Sequence, residues 1–243
     1  PKYVIVTHYH PDHSGALKWL KDHYPGVESY ASGPDALMMA NPYLNAEILY
    51  GAAPLRQLES RYLKGPAVNV DRSVEAGPLE IGDKKYQIIE LPGHADGQIG
   101  ILTSDAVLFI GDALFSEETM AKYGFPYLID IGKQLETIDT LAQMDAEYVV
   151  LAHASKVYPS IAELCKLNKE RIEYFCEQIL EWCNQPLTRE DIAEKIIQMT
   201  GMEVDIRQYH LTLSTTGAFL SYLANRQDLS FEVIAGKCYF FRE

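Results

Sequence analysis

The fold is decided by Thr7-His8-Tyr9-His10-Pro11-Asp12-His13-Ser14-Gly15, which follows directly on the apolar run at residues 3–6. Three imidazoles and one carboxylate lie within this short stretch. Residues two apart at the end of a strand can point at one metal ion, and the next pair, one turn of loop later, can point at a second. Imidazole and carboxylate ligands suit zinc, iron or manganese. The stretch therefore predicts half of a two-metal site.

Its position along the chain supports the same interpretation. The run at residues 3–6 has the composition of a short buried strand, and the residues after the polar stretch predict a helix from Ser14 to Tyr24. In α/β proteins, active sites usually lie at the carboxyl ends of strands that lead into helices. We therefore predict an α/β fold with its site at this strand end.

Three later apolar runs also end in a possible metal ligand. The runs at residues 86–91, 106–111 and 148–152 lead to His94, Asp112 and His153, respectively. A carboxylate after a buried strand costs free energy unless it is paired or bound to a metal. A single histidine after a strand more often caps or hydrogen-bonds, so His94 or His153 alone would be weak evidence. Together with the stretch at residues 7–15, four strand ends are expected to meet at one site.

At these residues the chain resembles the metallo-β-lactamase superfamily. That family is marked by H-x-H-x-D-H, then a Gly-His turn, then a bridging Asp and a last His, and all four elements are present here in this order. The resemblance covers residues 1–158 and implies an αββα sandwich. Within it, the stretch at residues 111–115 is most similar to the hydrolase branches related to glyoxalase II. The resemblance implies metal one on His8, His10 and His94, metal two on Asp12, His13 and His153, and Asp112 between both.

The ligand set predicts a dinuclear metal-dependent hydrolase. Two divalent ions, zinc in the first place and iron or manganese as alternatives, would share a bridging hydroxide as nucleophile and polarise a substrate oxygen. Asp12 and Asp112 are the predicted catalytic side chains, because Asp12 can also orient the hydroxide and Asp112 bridges the ions. His23 and His210 are expected at a helix end and in packing, and neither is assigned a role.

Three classes of function remain open at this point. The first is hydrolysis of an ester, thioester or lactone of a small molecule, and the second is a metal-dependent nuclease or phosphodiesterase. The third is a redox protein of the flavodiiron type, which usually has Glu where His10 stands and carries a flavodoxin domain. For substrate binding we predict Tyr123, Phe125, Tyr127 and Lys156, although the segment 115–132 could equally be a surface loop. Few basic residues stand nearby, so a glutathione thioester is not expected.

Residues 159–243 predict a second, smaller domain. Apolar residues recur at spacings of three and four from residue 161 to 183, which is typical of a helix with one buried stripe. Thr188 and Asp191 have capping-box spacing at the start of a second helix. A third helix is expected over 208–225 and a β-hairpin over 229–241. Three helices and a hairpin are the order of a winged helix.

Charge and composition restrict the partners. The chain of 243 residues has a net charge of -13 and is 47% hydrophobic. Nucleic acids are bound through clustered cations, and the third predicted helix of the winged-helix-like part has none before Arg226. No run approaches the about 20 apolar residues that span a bilayer. We therefore expect a cytoplasmic protein that binds a small-molecule substrate, without nucleic acid or membrane as partner.

The four cysteines include no C-x-x-C pair, so free thiols are expected. The metal motif begins at residue 8, whereas the superfamily places about half of its first sheet before it. The opening strands of the sandwich are therefore expected to be missing from this sequence. We expect the uncovered side of the strand at residues 3–7 to be hidden by another subunit or by an upstream segment absent from this sequence, and of the two we favour self-association.

Overall fold

The strands of the computed structural model, which describes residues 1–243, form two larger sheets and a hairpin. The first sheet is parallel and consists, in spatial order, of β1 (Tyr3–Ile5), β2 (Glu28–Ser32) and β3 (Arg72–Val74). The second sheet consists of β4 (Gly77–Ile81), β5 (Lys84–Glu90), β6 (Ile99–Thr103), β7 (Val107–Phe109) and β8 (Tyr148–Val150). Its pairs are antiparallel except β7 with β8, which are parallel.

Six helices belong to the part of the chain before residue 158. They are α1 (Pro11–Ser14), α2 (Ala16–His23), α3 (Gly33–Ala40), α4 (Tyr43–Tyr50), α5 (Glu117–Tyr123) and α6 (Ile131–Ala142), and a 3₁₀ turn spans Arg56–Glu59. The predicted helix over Ser14–Tyr24 corresponds to α2, and a separate helical turn precedes it. A helical turn already begins at Pro11, because proline at the first helical position has its φ angle preset and needs no N–H partner.

The two sheets pack face to face, and helices cover their outer faces. Between the sheets lie Tyr30, Val74, Ile81, Ile88, Ile99 and Ile101. Outside the first sheet, α2 and α3 contribute Leu17 and Met39 to a cluster with Val6 and Ala31. Outside the second sheet, Ile138 of α6 packs in one core with Leu108 and Val149. This layering confirms the predicted α/β sandwich and brings the carboxyl ends of β1, β5, β7 and β8 to one edge.

The remainder of the chain forms three helices and a hairpin, in the predicted order. They are α7 (Ala162–Trp182), α8 (Arg189–Thr200), α9 (Ile206–Asn225), β9 (Ser230–Ile234) and β10 (Lys237–Phe241). Thr188 and Asp191 form the predicted capping box at the start of α8. The third helix begins at Ile206, two residues before its predicted start, because the Asp205 carboxylate accepts hydrogen bonds from the backbone N–H groups of Arg207 and Gln208.

The C-terminal helices share a hydrophobic core with the second sheet. One cluster of 27 buried residues contains Leu108 of β7 and Ile138 of α6 together with Phe175 of α7, Ile192 of α8 and Phe219 of α9. The division at residue 158, the winged-helix assignment and self-association all stay predictions. All four cysteines are free. None of the helices combines the length and apolar character that crossing a bilayer requires.

Candidate metal centre

The four predicted ligand segments meet at one edge of the sandwich. His8 and His10 follow β1, His94 follows β5, Asp112 follows β7 and His153 follows β8. Asp12 and His13 lie on the single turn of α1, directly after His10. Strand ends therefore supply most of the polar groups, and the helical turn that Pro11 starts supplies the rest.

The first group of side chains is formed by His8, His10 and His94, whose nearest ring nitrogens lie within 4.8 Å of one another. His94 Nε2 is 2.9 Å from His10 Nδ1. On its other side, the Nδ1–H of His94 donates to the carbonyl oxygen of Tyr127 at 2.8 Å. Such a bond fixes the tautomer and directs the free nitrogen towards a metal ion. His8 and His94 are buried, so this triad lies on the inner side of the site.

The second group consists of Asp12, His13 and His153, which also lie within 4.8 Å of one another. Asp12 Oδ2 is 3.2 Å from His153 Nε2 and 3.6 Å from His13 Nε2. Asp12 and His153 are exposed, so this triad faces solvent. Each group could hold one metal ion, and a further group of His8, His13 and Asp112 spans the two. The assignment of particular ligands to each metal stays a prediction.

Asp112 lies between the two triads. Its Oδ2 atom is 3.4 Å from His13 Nε2 and 3.5 Å from Nε2 of both His94 and His153. Only 7% of Asp112 is exposed. A single buried carboxylate oxygen thus faces one imidazole of the inner triad and two of the outer triad, as a bridging ligand must.

The electrostatics of the inner triad and of Asp112 favour the protonation states that ligate metals. Burial lowers the pKa of His8 and of His10 well below the usual range, and it also lowers the pKa of His94, so these imidazoles are neutral. Burial alone would raise the pKa of Asp112, but the imidazoles of His13 and His153, which lie 3.4 and 3.5 Å from its Oδ2, hold it well below its usual value. The neighbouring Asp112 and Asp12 raise the pKa of His153 to about 10. Metal binding at the outer triad would therefore release the proton of His153.

Two orphaned atoms test whether the residues fit metal ions. His8 Nε2 and His13 Nε2 are buried and have no hydrogen-bond partner. Leaving a buried polar atom unpaired costs about 1–3 kcal/mol, and a cation held by each triad would satisfy both atoms. The histidine and aspartate groups could therefore bind two metal ions, and their nitrogen and oxygen atoms suit zinc, iron or manganese.

A cavity of about 530 Å³ opens over the site. His10, Asp12, His94, Asp112 and His153 form its floor. The structure places the predicted substrate residues Tyr123, Phe125 and Tyr127 in its wall. Lys156 does not line the cavity, and its exposed ammonium group lies 4.9 Å from the ring centre of Tyr158.

Sequence reasoning missed several residues of the cavity wall. Asn45 of α4, Tyr62, and Gln208 and Leu211 of α9 all line it. They lie far along the chain from the metal motif and follow no ligand pattern, so only the packing of α9 against α4 and the 3₁₀ turn brings them there. The sequence of α9 marks an amphipathic helix but does not specify which surface it covers.

Three residues near or outside the site have structural roles. His23 stacks on Trp19 with ring centres 4.3 Å apart, and His210 packs against Tyr50. Neither histidine is among the metal-binding groups. Ser14, the last residue of α1, donates its hydroxyl hydrogen to the carbonyl oxygen of Tyr9 at 2.7 Å.

Curated relatives resemble parts of the chain. It is 22% identical to the linear primary-alkylsulfatase of a Pseudomonas species, over 87% of this chain and 46% of that protein. It is 26% identical to a metallo-beta-lactamase fold-containing protein of Sulfurisphaera tokodaii, over 70% of this chain and 68% of that protein. It is 30% identical to the hydroxyacylglutathione hydrolase of Yersinia pestis, over 48% of this chain and 34% of that enzyme. The chain thus spans about half of the alkylsulfatase and about a third of the hydrolase.

Two solved structures share the fold along almost the whole chain. A metallo-beta-lactamase family protein from Thermus thermophilus superposes with a TM-score of 0.78 at 20% identity, covering 100% of this chain and 80% of that one. A beta-lactamase domain protein from Burkholderia ambifaria has a TM-score of 0.74 at 20% identity, covering 99% of this chain and 74% of that one. At these identities the likeness shows the fold.

The sequence itself matches a family over residues 1–153, which is more than half of the chain. This segment contains all seven predicted ligands, from His8 to His153. The chain therefore belongs to the metallo-beta-lactamase superfamily.

Proposed function

We propose that this chain is a dinuclear metal-dependent hydrolase that cleaves an ester, thioester or lactone of a small molecule. The observation that carries the proposal is the position of Asp112 Oδ2, which faces imidazoles of both triads at the floor of an open cavity. When bound, two divalent ions supply a Lewis acid for the substrate's carbonyl oxygen and lower the pKa of a water nucleophile. Zinc is the first choice of metal, with iron and manganese as alternatives.

The chain's own residues then have distinct tasks. Asp112 fixes the positions of the two triads relative to each other, because its carboxylate lies between them. Asp12 is exposed at the cavity floor, and its Oδ2 faces His153. Its other carboxylate oxygen can accept a hydrogen bond from the attacking water and so orient it towards the substrate. Tyr127 keeps the ring of His94 in place through its backbone carbonyl.

The walls of the cavity support a small, largely apolar substrate. They include Tyr62, Leu63, Phe115, Phe125 and Leu211. Among the lining residues, Lys122 is the one lysine or arginine, and Glu118 lies in the same wall. Phosphate-rich polymers are bound through several cations, so this wall favours a carboxylic ester, thioester or lactone over a nucleic acid. The same scarcity of basic residues argues against glutathione as the carrier group, and hence against a glyoxalase II-like specificity.

We further propose that the winged-helix-like residues 159–243 form part of the substrate site. Gln208 and Leu211 of α9 line the cavity, and α9 also contributes Phe219 and Leu220 to the core shared with the second sheet. A helix held in this way is suited to shaping the wall of a pocket.

The decisive experiment assays the purified protein with measured metal content against a panel of substrates. The panel contains a thioester, a lactone, a nitrophenyl ester and a bis-phosphodiester, and the alkylsulfatase relative adds an alkyl sulfate. We expect metal-dependent cleavage of a carboxylic ester, thioester or lactone. Exclusive cleavage of the bis-phosphodiester would favour the nuclease or phosphodiesterase alternative.

The variant Asp112→Ala tests the central residue of the site. We expect it to lower kcat/KM by at least about 100-fold, because loss even of an outer partner of a metal ligand costs roughly 10–100-fold. The matched control is His23→Ala, which removes an imidazole stacked on Trp19 and remote from the metal-binding groups. Equal losses in the two variants, or full activity of metal-free protein, would contradict the proposed function.

A further inference from the structure

Gln98 lies directly before β6, and its side chain connects two of the ligand segments. Only 1% of the residue is exposed. Its Oε1 accepts a hydrogen bond from the backbone N–H of Asp112 at 3.1 Å. Its Nε2 donates to the carbonyl oxygen of Leu91 at 3.0 Å, three residues before His94. The oxygen of the carboxamide therefore bonds the Asp112 segment, and its nitrogen bonds the segment that leads to His94.

The backbone beside Gln98 continues the same network. The N–H of Ile99 donates to the carbonyl oxygen of Thr7 at 2.9 Å, directly before His8. The N–H of Ala152 donates to the carbonyl oxygen of Gly111 at 3.1 Å, which joins the His153 segment to the Asp112 segment. Hydrogen bonds thus link all four strand ends of the site, and residues 98 and 99 make the links among three of them.

The packing at this point is tight. Gly111 has a φ angle of +54°, and a Cβ atom there would lie 3.2 Å from Gln98 Oε1 and 3.1 Å from the side chain of Thr7. A residue with a side chain at position 111 would be strained in this conformation and would press on both neighbours. The backbone that leads into Asp112 therefore passes directly against the carboxamide of Gln98.

We propose that Gln98 is a positioning residue, which sets the place of the Asp112 carboxylate and thereby the affinity of the site for metal. The inference rests on the proposed metal-dependent function. Asp112 Oδ2 is 3.4–3.5 Å from three imidazole nitrogens, so a small displacement of its backbone changes all three distances. Productive sites tolerate displacements of about 0.5 Å. Removing Gln98 leaves the buried N–H of Asp112 and the carbonyl of Leu91 without these partners.

Two substitutions separate the contributions of the carboxamide. Gln98→Met keeps the length and removes both hydrogen bonds. Gln98→Glu keeps an acceptor for the N–H of Asp112. The matched control is Asn168→Asp, because Asn168 is also buried and its carboxamide bonds the backbone N–H and carbonyl of Phe115. The control perturbs a similar buried carboxamide outside the ligand network.

The readout is metal binding, measured by titrating the metal-free proteins with Co²⁺ and recording the visible absorption of the bound ion. Urea unfolding of each metal-free variant measures its stability separately. We expect Gln98→Met to weaken Co²⁺ binding by roughly 10–100-fold, and Gln98→Glu to weaken it less. Asn168→Asp should lose stability and keep the wild-type Co²⁺ affinity.

The outcomes distinguish the two levels of the argument. If the wild-type protein binds no Co²⁺, the proposed function fails, and the positioning role of Gln98 fails with it. If the wild type binds two ions and both Gln98 variants bind them equally well, only the positioning role is refuted. A loss of Co²⁺ affinity in Asn168→Asp equal to that in Gln98→Met would also refute it, because any buried carboxamide would then have the same effect.

Discussion

Asp35 carries a buried carboxyl group, and replacing it by asparagine should change how the stability of the protein depends on pH. Asp35 lies in the first turn of α3 and is 1% exposed. Its Oδ2 atom has no hydrogen-bond partner. Burial raises the pKa of Asp35 from 3.8 to about 7, with a further contribution from Asp96, although hydrogen bonds from the backbone N–H groups of Tyr9 and Gly97 act in the opposite direction.

The sign of the effect follows from proton binding. In the unfolded chain Asp35 loses its proton near its ordinary pKa of 3.8, whereas the folded protein keeps that proton up to about pH 7. Between these values the folded state binds more protons than the unfolded state, so the free energy of unfolding decreases as the pH rises. This decrease ends once the pH exceeds the folded pKa. An asparagine at this position cannot ionise, so the free energy of unfolding of the variant does not decrease in this way.

The raised pKa gives the size of the effect. A shift of roughly three units corresponds to about 4 kcal/mol, of which about 2–3 kcal/mol falls between pH 5 and pH 8. Between pH 5 and pH 8, the free energy of unfolding of Asp35→Asn should therefore rise by about 2–3 kcal/mol relative to that of the wild type. Its absolute stability at pH 5 also includes the new amide group, so the change with pH is the informative quantity.

The assay is urea unfolding of both proteins at pH 5, 6, 7 and 8, with chelator present so that metal release adds no pH dependence of its own. The control is Asp22→Asn, because Asp22 is exposed and pairs with Lys18 on the surface of α2. The difference in free energy of unfolding between Asp22→Asn and the wild type should stay nearly constant over the same pH values. A constant difference for Asp35→Asn as well would refute the conclusion that Asp35 is protonated in the folded protein at pH 5 and ionised at pH 8.

Two further predictions follow from the metal centre and from the charge. Removing bound metal with a chelator should lower the melting temperature by roughly 5–10 °C. A ligand at 100 times its Kd adds about 2.7 kcal/mol of stability, and a protein of this size loses about 2–4 °C per kcal/mol. An unchanged melting temperature of protein with proven metal content would contradict the assignment of the metal site. Residues 159–243, tested within the whole chain, should not bind duplex DNA in a mobility-shift assay, because the chain carries a net charge of -13; micromolar binding that weakens steeply with added salt would overturn this.

Four of the ligand positions could be predicted because each lies within three residues of the end of a short apolar run. His8, His94, Asp112 and His153 are polar groups at the ends of β1, β5, β7 and β8, and the sequence marks each of these transitions locally. The family resemblance then supplied their division into two metal sites. Strand ends in one sandwich meet at an edge, so local patterns were sufficient to predict a global arrangement.

Lys156 shows where such local reasoning fails. It was predicted for substrate binding together with Tyr123, Phe125 and Tyr127, and it is the basic residue among the four. In the structure, Tyr158 pairs with Val149 through two backbone hydrogen bonds of 2.7 and 2.9 Å, so the chain turns back after His153. This turn carries Lys156 to the surface, where it lies over Tyr158. Proximity in sequence does not reveal such a turn.

Gln98 was not predictable for a different reason. Glutamine is usually an exposed residue, and no periodic pattern marks this one as buried. Its two partners, Leu91 and Asp112, lie seven and fourteen residues away, after the ends of β5 and β7. Its burial depends on the register of β5, β6 and β7, which the sequence alone does not fix.

The predicted metal ligands and part of the cavity wall lie in different regions of the chain. All seven predicted metal ligands lie within residues 1–153, the segment that matches the superfamily. Gln208 and Leu211, which line the cavity, lie outside that segment on α9. Membership of the superfamily therefore bears on the metal chemistry, whereas the part of the wall that α9 provides is independent of the match. Because α9 is held in the core shared with the second sheet, its packing sets the position of this part of the cavity wall.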